Sequence, residues 1–316
     1  MKKNILLLTT MMLGALVWTG CQKDPLEVNL VDPGAVPEDS VWTISVKAVK
    51  AGNEATTKGL DIDGGEEGTT TVLNSIWKYD DVVKVFQGTD CIGTLSATPD
   101  NLDPHSAVLS GTVTISSITP GTTRLTFLTP REDIDYTGQA GNLLPGYGIN
   151  DPIETLFHYT IAADVLVTEC FASNITTEMA TFVPMQSIYR MNFRFQDGGQ
   201  GDKTNITAKS VTVSAANGHL VQTQSIDGAT VAEGAIAVSL QYATADPFFV
   251  ALRNRDESNE EVLTFTIVDE DGATYKGTKT IPSDAKPNGS FVSIKNTTVT
   301  SRMDIPLLSS STATVL

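Results

Sequence analysis

The stretch WTISVKAV (42–49) decides the fold class of this chain. The apolar residues Trp42, Ile44, Val46 and Ala48 form a first set, and they alternate with Thr43, Ser45, Lys47 and Val49. An alternation with a period of two places the first set on one face of a strand, whereas a helix would need apolar residues three and four positions apart. The stretch therefore predicts a strand with one buried face over residues 42–49.

Similar runs recur along the chain and are rich in Val, Ile, Thr and Phe, which favour strands. In the first half the predicted strands are 82–86, 91–95, 107–118, 122–128, 158–168 and the strand-like segment 179–195. In the second half they are 191–195, 210–215, 235–240, 248–252, 262–268 and 274–281. Gly and Pro punctuate 129–155, which predicts a long irregular connection. Strong helical periodicity over twelve or more residues appears nowhere, so we expect an all-β protein.

The number and spacing of these strands indicate two domains. About six or seven strands in each half, roughly 8–15 residues apart, fit two tandem β-sandwiches. We expect an N-terminal sandwich over 42–182 and a C-terminal sandwich over 183–316. Asp271-Gly272, between the last two predicted strands, predicts a hairpin with a type I′ turn, because that turn needs positive φ at both central residues.

The first twenty residues have the layout of a secretory signal. Two lysines at 2–3 precede an apolar run over 5–17, and the residues before Cys21 are small. The run is too short for a transmembrane helix. A cysteine at this point resembles a bacterial lipobox, in which Cys21 becomes the lipidated first residue of the mature chain. An ordinary signal peptide with an incidental cysteine is the alternative.

Charge limits the partners of the exported chain. The net charge is −16, and removing residues 1–20, which carry two lysines and no acid, leaves −18. Such a chain is repelled by nucleic acid and by anionic membrane surfaces. Residues 21–41 are rich in proline and acid, which predicts an extended tether between the lipid and the folded part.

The remaining cysteines and the histidines give no metal or cofactor site. Cys91 and Cys170 could form a disulfide in an exported protein, but two buried free thiols fit the sequence equally well. His105, His158 and His219 are scattered, without the spacing of metal ligands. No cofactor is therefore expected.

No catalytic group can be argued from the sequence either. The acidic stretch DIDGGEEG (61–68) lacks the remaining ligand positions and the flanking helices of an EF-hand, and a solvated loop explains it. The chain contains no G-x-S-x-G nucleophile motif. Trp42 and Trp77 could form a glycan-binding platform, although core positions suit them better. We expect a protein that is not an enzyme.

Four further segments carry a resemblance to a known family. They are AGNEATTKGL (51–60), IWKYDDVVKVF (76–86), TFVPMQSIYRMNFRF (181–195) and ATYKGTKTIPSDAKPNGSFVSIKNTTVT (273–300). Together with the lipobox and acidic tether, they resemble the fimbrillin family of lipoprotein pilus subunits and accessory subunits from Gram-negative anaerobes. The resemblance implies two transthyretin-like β-sandwich domains, an outer-membrane lipid anchor and a role in cell adhesion.

The resemblance also implies assembly by donor-strand exchange. In the family, a trypsin-like protease cuts after a basic residue behind the first strand, and a strand from a neighbouring subunit fills the groove. The family residue is usually arginine, whereas this chain offers Lys50 and Lys58 as candidates, with Lys47 inside the strand itself. On this interpretation 42–49 is removable and 303–316 supplies a donor. Two permanent strands, as in an accessory subunit that assembles uncut, are the alternative.

A different class of function fits the same N-terminal features. A surface-tethered glycan-binding lipoprotein can share the signal, the tether and the β-sandwiches. Exposed aromatic platforms would favour that class, and a removable first strand favours a fimbrial subunit.

Overall fold

The computed structural model describes residues 40–50, 60–61, 70–72, 74–79, 81–140, 158–255, 260–283 and 288–303. Regular structure in these ranges consists of strands and a 3₁₀ turn at Asp197–Gly199. The prediction of an all-β protein is confirmed. The signal and Cys21 lie outside the described residues, as does Lys58.

Strand bounds follow in chain order. The first twelve strands are β1 (Ser40–Lys50), β2 (Leu60–Asp61), β3 (Thr70–Val72), β4 (Asn74–Ser75), β5 (Val82–Gln87), β6 (Asp90–Pro99), β7 (Ser106–Ile115), β8 (Arg124–Pro130), β9 (Ile134–Asp135), β10 (Thr160–Phe171), β11 (Asn174–Thr177) and β12 (Ala180–Pro184). The others are β13 (Ser187–Phe195), β14 (Thr204–Asn205), β15 (Ala208–Ala215), β16 (Val221–Gln224), β17 (Val231–Glu233), β18 (Ile236–Thr244), β19 (Phe248–Leu252), β20 (Glu261–Asp269), β21 (Thr274–Ile281), β22 (Ser290–Val299) and β23 (Ser301–Met303).

The largest sheet closes on itself through β1. Its strands follow the order β11-β1-β12-β10-β8-β5-β6-β7, and β1 also pairs with β7. The ring therefore runs from β1 through β12, β10, β8, β5, β6 and β7 back to β1. Closure leaves these strands with partners on both sides, which removes the exposed edges of an open sheet.

The inside of the ring is a continuous apolar core. Phe127 and Phe182 are fully buried, and their ring centroids lie 6.4 Å apart. Leu95 and Leu109 on β6 and β7 are also fully buried. Burying side chains of this size stabilises a fold by about 1.5–3 kcal/mol each, so this core is the main support of the ring.

The second set of strands forms two further sheets. One has the order β14-β13-β22-β3, with β19 also on β13, and the other has the order β18-β15-β20-β21-β23. The aromatic pairs Phe193–Phe265 and Phe195–Tyr275, with centroids 5.2 and 5.4 Å apart, each join one sheet to the other. The two sheets thus pack face to face around an aromatic core.

Short segments of the first half pair with strands of the second. β3 pairs with β22, and β9 pairs with β16. The buried amide of Gln139 accepts a hydrogen bond from the Ala251 N–H and donates one to the Ala251 carbonyl, both at 2.8 Å. The amide thus acts as a strand partner of β19. The start of the connection predicted over 129–155 is therefore ordered by the second half, and residues 141–155 lie outside the described ranges.

The predicted domain boundary at 182/183 falls within β12. The ring ends with this strand, and the sheet of β13 begins at Ser187. The described residues cluster as one unit by their contacts. The division into tandem domains stays a prediction.

The predicted hairpin between β20 and β21 is confirmed, but the predicted type I′ turn is wrong. Val268 and Thr274 face each other at the base of the hairpin, so the loop is longer than two residues. Gly272 has a φ of 87° and Asp271 does not have a positive φ. A type I′ turn needs positive φ at both. Asp269 instead orders the loop, because its carboxylate accepts the Ala273 N–H at 2.8 Å.

Candidate functional site

β1 has strand partners along both of its edges. It pairs antiparallel with β7 at ten positions, from Ser40 opposite Ile115 to Val49 opposite Ser106. On its other edge it runs parallel to β11 and then to β12. We call the space that β1 occupies the β1 groove. It lies between β7 on one side and the successive strands β11 and β12 on the other.

The side chains that β1 directs into the ring fit their neighbours by size. Ile44, Val46 and Ala48 are between 0% and 4% exposed, and the predicted alternation is confirmed. Trp42 is half-buried, and its indole Nε1 has no hydrogen-bond partner in the described structure. Ile44 lies opposite Gly111 on β7.

Three alanines lie side by side across the groove near the end of β1 that carries Lys50. Ala48 lies opposite Ala107 on β7 and Ala180 on β12. All three are at most 4% exposed. Because Ala48 is buried, a larger side chain at its position would overpack the interior, which costs about 1–3 kcal/mol.

Lys50 ends the inward-facing row with a buried charge. Its Nζ lies 2.9 Å from the Asp81 carboxylate, and the side chains of the pair are 7% and 24% exposed. The same Nζ donates to the Ile76 carbonyl at 2.8 Å and lies 4.1 Å from the centroid of the Trp77 ring. A carboxylate, a carbonyl and an aromatic face together compensate the desolvation of the ammonium group.

The protein positions this cluster through its backbone and core. The Asp81 carboxylate also accepts the Lys78 N–H at 3.0 Å, and the Lys50 N–H donates to the His105 carbonyl at 2.9 Å. Trp77 packs edge-on against Phe182, with ring centroids 5.2 Å apart. From the sequence, turn chemistry before a strand suffices to explain Asp81, and its ion pair with Lys50 was not predicted.

The burial of Lys50 bears on its predicted role in processing. A protease of the trypsin type needs the lysine side chain in its own pocket and an extended backbone on both sides. In the folded chain this side chain is held inside the protein and the backbone is part of β1. Cleavage after Lys50 stays a prediction, and Lys58 lies outside the described residues.

The structure does not bring Cys91 and Cys170 together. Both thiols are free, with Cys91 exposed and Cys170 half-buried. They lie on β6 and β10, which are separated in the ring by β5 and β8. Three strand spacings of about 4.8 Å exceed the Cα separation that a disulfide spans. Burial, followed by the charge of Glu169, raises the pKa of the Cys170 thiol.

The tryptophans do not form an exposed platform. Trp77 is 3% exposed and belongs to the core, as expected. Exposed aromatic side chains do occur at Tyr79, Phe171 and Tyr242, but they lie on separate elements. The glycan-binding alternative therefore gains no support from a grouped aromatic surface in the part of the chain described.

The titratable side chains with shifted pKa values owe those shifts to burial and hydrogen bonding. Burial lowers the pKa of His158, opposed by a hydrogen bond between its Nδ1 and the Asp135 carbonyl at 2.6 Å. Burial raises the pKa of Tyr136. These causes are structural, and the two shifts define no reactive pair. Within the described ranges, no group of three or more His, Cys, Asp and Glu side chains could hold a metal ion.

The predicted donor segment is described only at its start. Met303 belongs to β23, which pairs antiparallel with β21, with Met303 opposite Thr274. Residues 304–316 lie outside the described ranges. No helix in the described ranges is long and apolar enough to cross a membrane.

Comparisons with known proteins give similarities to solved structures. No protein-family model and no curated protein matches the chain. A protein from Bacteroides fragilis, proposed to act in cell adhesion, is similar with 11% identity over 86% of this chain and 95% of its own, at a TM-score of 0.33. A fimbrial assembly protein from Parabacteroides distasonis is similar with 10% identity over 82% and 92%, at 0.35. A proposed adhesin from Bacteroides ovatus is similar with 12% identity over 76% and 77%, at 0.38.

Proposed function

We propose that this chain is a subunit of a cell-surface fimbrium, either in the shaft or as an accessory, anchor or tip subunit, and that it serves adhesion. The observation that carries the proposal is the position of β1. It is the first strand described, it closes a ring of strands, and both of its edges are paired. A strand in that position can be replaced by a strand of another subunit without changing the rest of the ring.

The energetics of replacement favour a filled groove. Burial of Ile44 and Val46 alone contributes about 3–6 kcal/mol, and the ladders on both edges add main-chain hydrogen bonds. Without β1, the edges of β7 and of the β11–β12 pair would be open, and open edges bind other strands. An added strand satisfies the backbone groups by β-augmentation.

The N-terminal features extend the proposal to location. The signal over 1–20 exports the chain, Cys21 carries the lipid, and residues 21–41 form the tether. The chain is then anchored in the outer membrane before it joins a fimbrium. The net charge of −18 that remains after residues 1–20 are removed suits a protein held by lipid and not by a basic surface. No catalytic role is assigned to it.

Processing is the step that the geometry of Lys50 constrains. Its ammonium group would have to leave Asp81 and the Trp77 ring before a protease could bind it. Lys58 is therefore the processing candidate that we retain. A subunit that assembles uncut remains the alternative for a terminal or accessory position.

The proposal is tested on cells that produce the protein. Filaments sheared from wild-type cells should contain the chain without the peptides of β1, as measured by mass spectrometry. A Cys21→Ala variant should leave the chain in the periplasm or medium. The proposal fails if the wild-type chain is found only in membranes, with β1 present and no other subunit bound.

A further inference from the structure

The β1 groove carries a fixed negative charge at one end. Asp81 lies beside the end of β1, its carboxylate is about three-quarters buried, and Lys50 is the cation that faces it at 2.9 Å. The Lys78 N–H also binds this carboxylate and holds its direction. Asp81 belongs to the segment before β5 and would stay in place when β1 leaves.

Removal of β1 takes the compensating cation away. Asp81 then loses its ion pair, the Ile76 carbonyl loses its donor, and the face of Trp77 loses the ammonium group. An apolar side chain in place of Lys50 would cover the carboxylate without pairing it. Leaving a largely buried charge unpaired is strongly destabilising, whereas a lysine or arginine restores the pair.

A second feature of the groove lies two residues earlier. Ala48, which lies between Ala107 and Ala180, is only 1% exposed, so a larger side chain at its position would overpack the interior. Four residues earlier in β1, Ile44 lies opposite Gly111 and is fully buried. Ala107, Ala180 and Gly111 lie on strands that remain when β1 is removed, so they select its replacement.

We propose that the β1 groove recognises a partner strand with a small residue and, two positions later, a lysine or arginine that pairs with Asp81. In the direction of β1, every second residue of the partner strand points into the ring. In order, these residues are a bulky apolar residue opposite Gly111, a second apolar residue, the small residue and the cation. This inference rests on the proposed function and names the chemistry of the partner at the same site.

The chain's own candidate donor does not carry this pattern. Residues 303–316 (MDIPLLSSSTATVL) contain no lysine or arginine. The preceding cation, Arg302, lies in β23 with its guanidinium 5.5 Å from the Tyr275 ring centroid. Residues 303–316 of a second copy therefore do not supply the cation that pairs with Asp81.

The test uses the mature chain, residues 22–316, with a site for a viral protease inserted between Glu54 and Ala55. The folded protein is cut, and the labelled fragment that contains β1 stays bound until a peptide displaces it in urea below the unfolding transition. The competing peptides are SVWTISVKAVK (40–50), the same peptide with Lys50→Met, the same peptide with Ala48→Leu, and residues 303–316. Release of the label is followed by fluorescence anisotropy.

The unchanged peptide should displace the label, and each substituted peptide should compete at least about tenfold more weakly, because one leaves a buried charge unpaired and the other overfills the alanine row. Residues 303–316 should not compete. In an Asp81→Asn receptor, the difference between the unchanged peptide and the Lys50→Met peptide should fall to about twofold. If these two peptides compete equally on the unchanged receptor, the inference is wrong and strand exchange stands. If no peptide displaces β1, both the inference and strand exchange are refuted.

Discussion

Gly111→Ala tests the packing of β7, the strand that pairs with β1, against β6. Gly111 lies on β7 opposite Ile44 of β1 and Leu95 of β6. A Cβ atom at position 111 would collide with the Thr94 carbonyl oxygen and lie 3.1 Å from the Leu95 Cδ2 atom. The first contact is with the backbone of a paired strand. Rotation of a side chain therefore cannot relieve it, and β6 and β7 must separate.

The expected loss of stability follows from two opposing effects. Overpacking of a well-filled core costs about 1–3 kcal/mol, and a backbone contact places this case toward the upper end. Replacing glycine with alanine at a compatible φ recovers about 0.4–1 kcal/mol by restricting the unfolded chain. We therefore expect Gly111→Ala to lower the free energy of unfolding by about 2 kcal/mol.

Gly88→Ala is the matched control. Position 88 has a φ of +62° and no heavy atom within 4 Å of the added Cβ, so its cost of about 1 kcal/mol comes from the backbone alone. Urea denaturation measures the loss of unfolding free energy in both variants. The rate at which β1 is released from the cut protein shows whether the substitution weakens the binding of β1. Gly111→Ala should speed the release and Gly88→Ala should not. A Gly111→Ala protein as stable as wild type, or one that retains β1 equally well, would refute the packing argument.

Three further predictions concern other parts of the chain. In a Cys21→Ser protein, thiol titration should find two free thiols. Cys91 should react faster than Cys170, because the raised pKa and partial burial of Cys170 leave less accessible thiolate. A protein without free thiols would contradict this prediction. Burial holds the pKa of His158 below its unfolded value, so stability is full above about pH 6.5 and falls as the pH drops through the window between the two values. His158→Asn, which tolerates the φ of 53°, should show a smaller fall in melting temperature between neutral and mildly acidic pH, and an equal fall would assign the effect elsewhere. Gln139→Ala leaves two backbone groups of β19 unpaired and should cost about 2–4 kcal/mol in urea denaturation. Gln87→Ala removes a solvent-exposed hydrogen bond to the Ser117 carbonyl and should cost under about 1 kcal/mol.

The sequence predicted β1 well because local alternation and burial agree there. The same alternation, continued for two residues, points Lys50 inward after Ala48. That continuation was the available signal for a buried lysine, but a lysine at the end of a strand is usually solvated. Its partner Asp81 lies in another segment of the chain, and a single sequence gives no distance between the two.

Strands that depend on distant partners were harder to predict. β22 pairs in parallel with β13, and its pairing shifts register between Met191 and Phe193. The Asn192 amide bridges this irregularity by accepting the Asn296 N–H, while Asn296 has a φ of 59°. The polar run around Asn296 includes a residue with positive φ and lacks the alternation of apolar and polar residues that predicts a strand. β16 and β17 are short, so the pairing of β16 with β17 and with β9 could not be predicted either.

The ion pair of Lys50 also explains how β1 keeps one register. A slip of one residue would turn Ile44 and Val46 outward, and alternation already excludes it. A slip of two residues would keep the apolar face inward, so alternation alone would tolerate it. Such a slip would either carry the Lys50 ammonium group into the position of Ala48 or draw it about 7 Å beyond Asp81. Both results leave a charge unpaired, so the cluster favours the native register among those that alternation alone would tolerate.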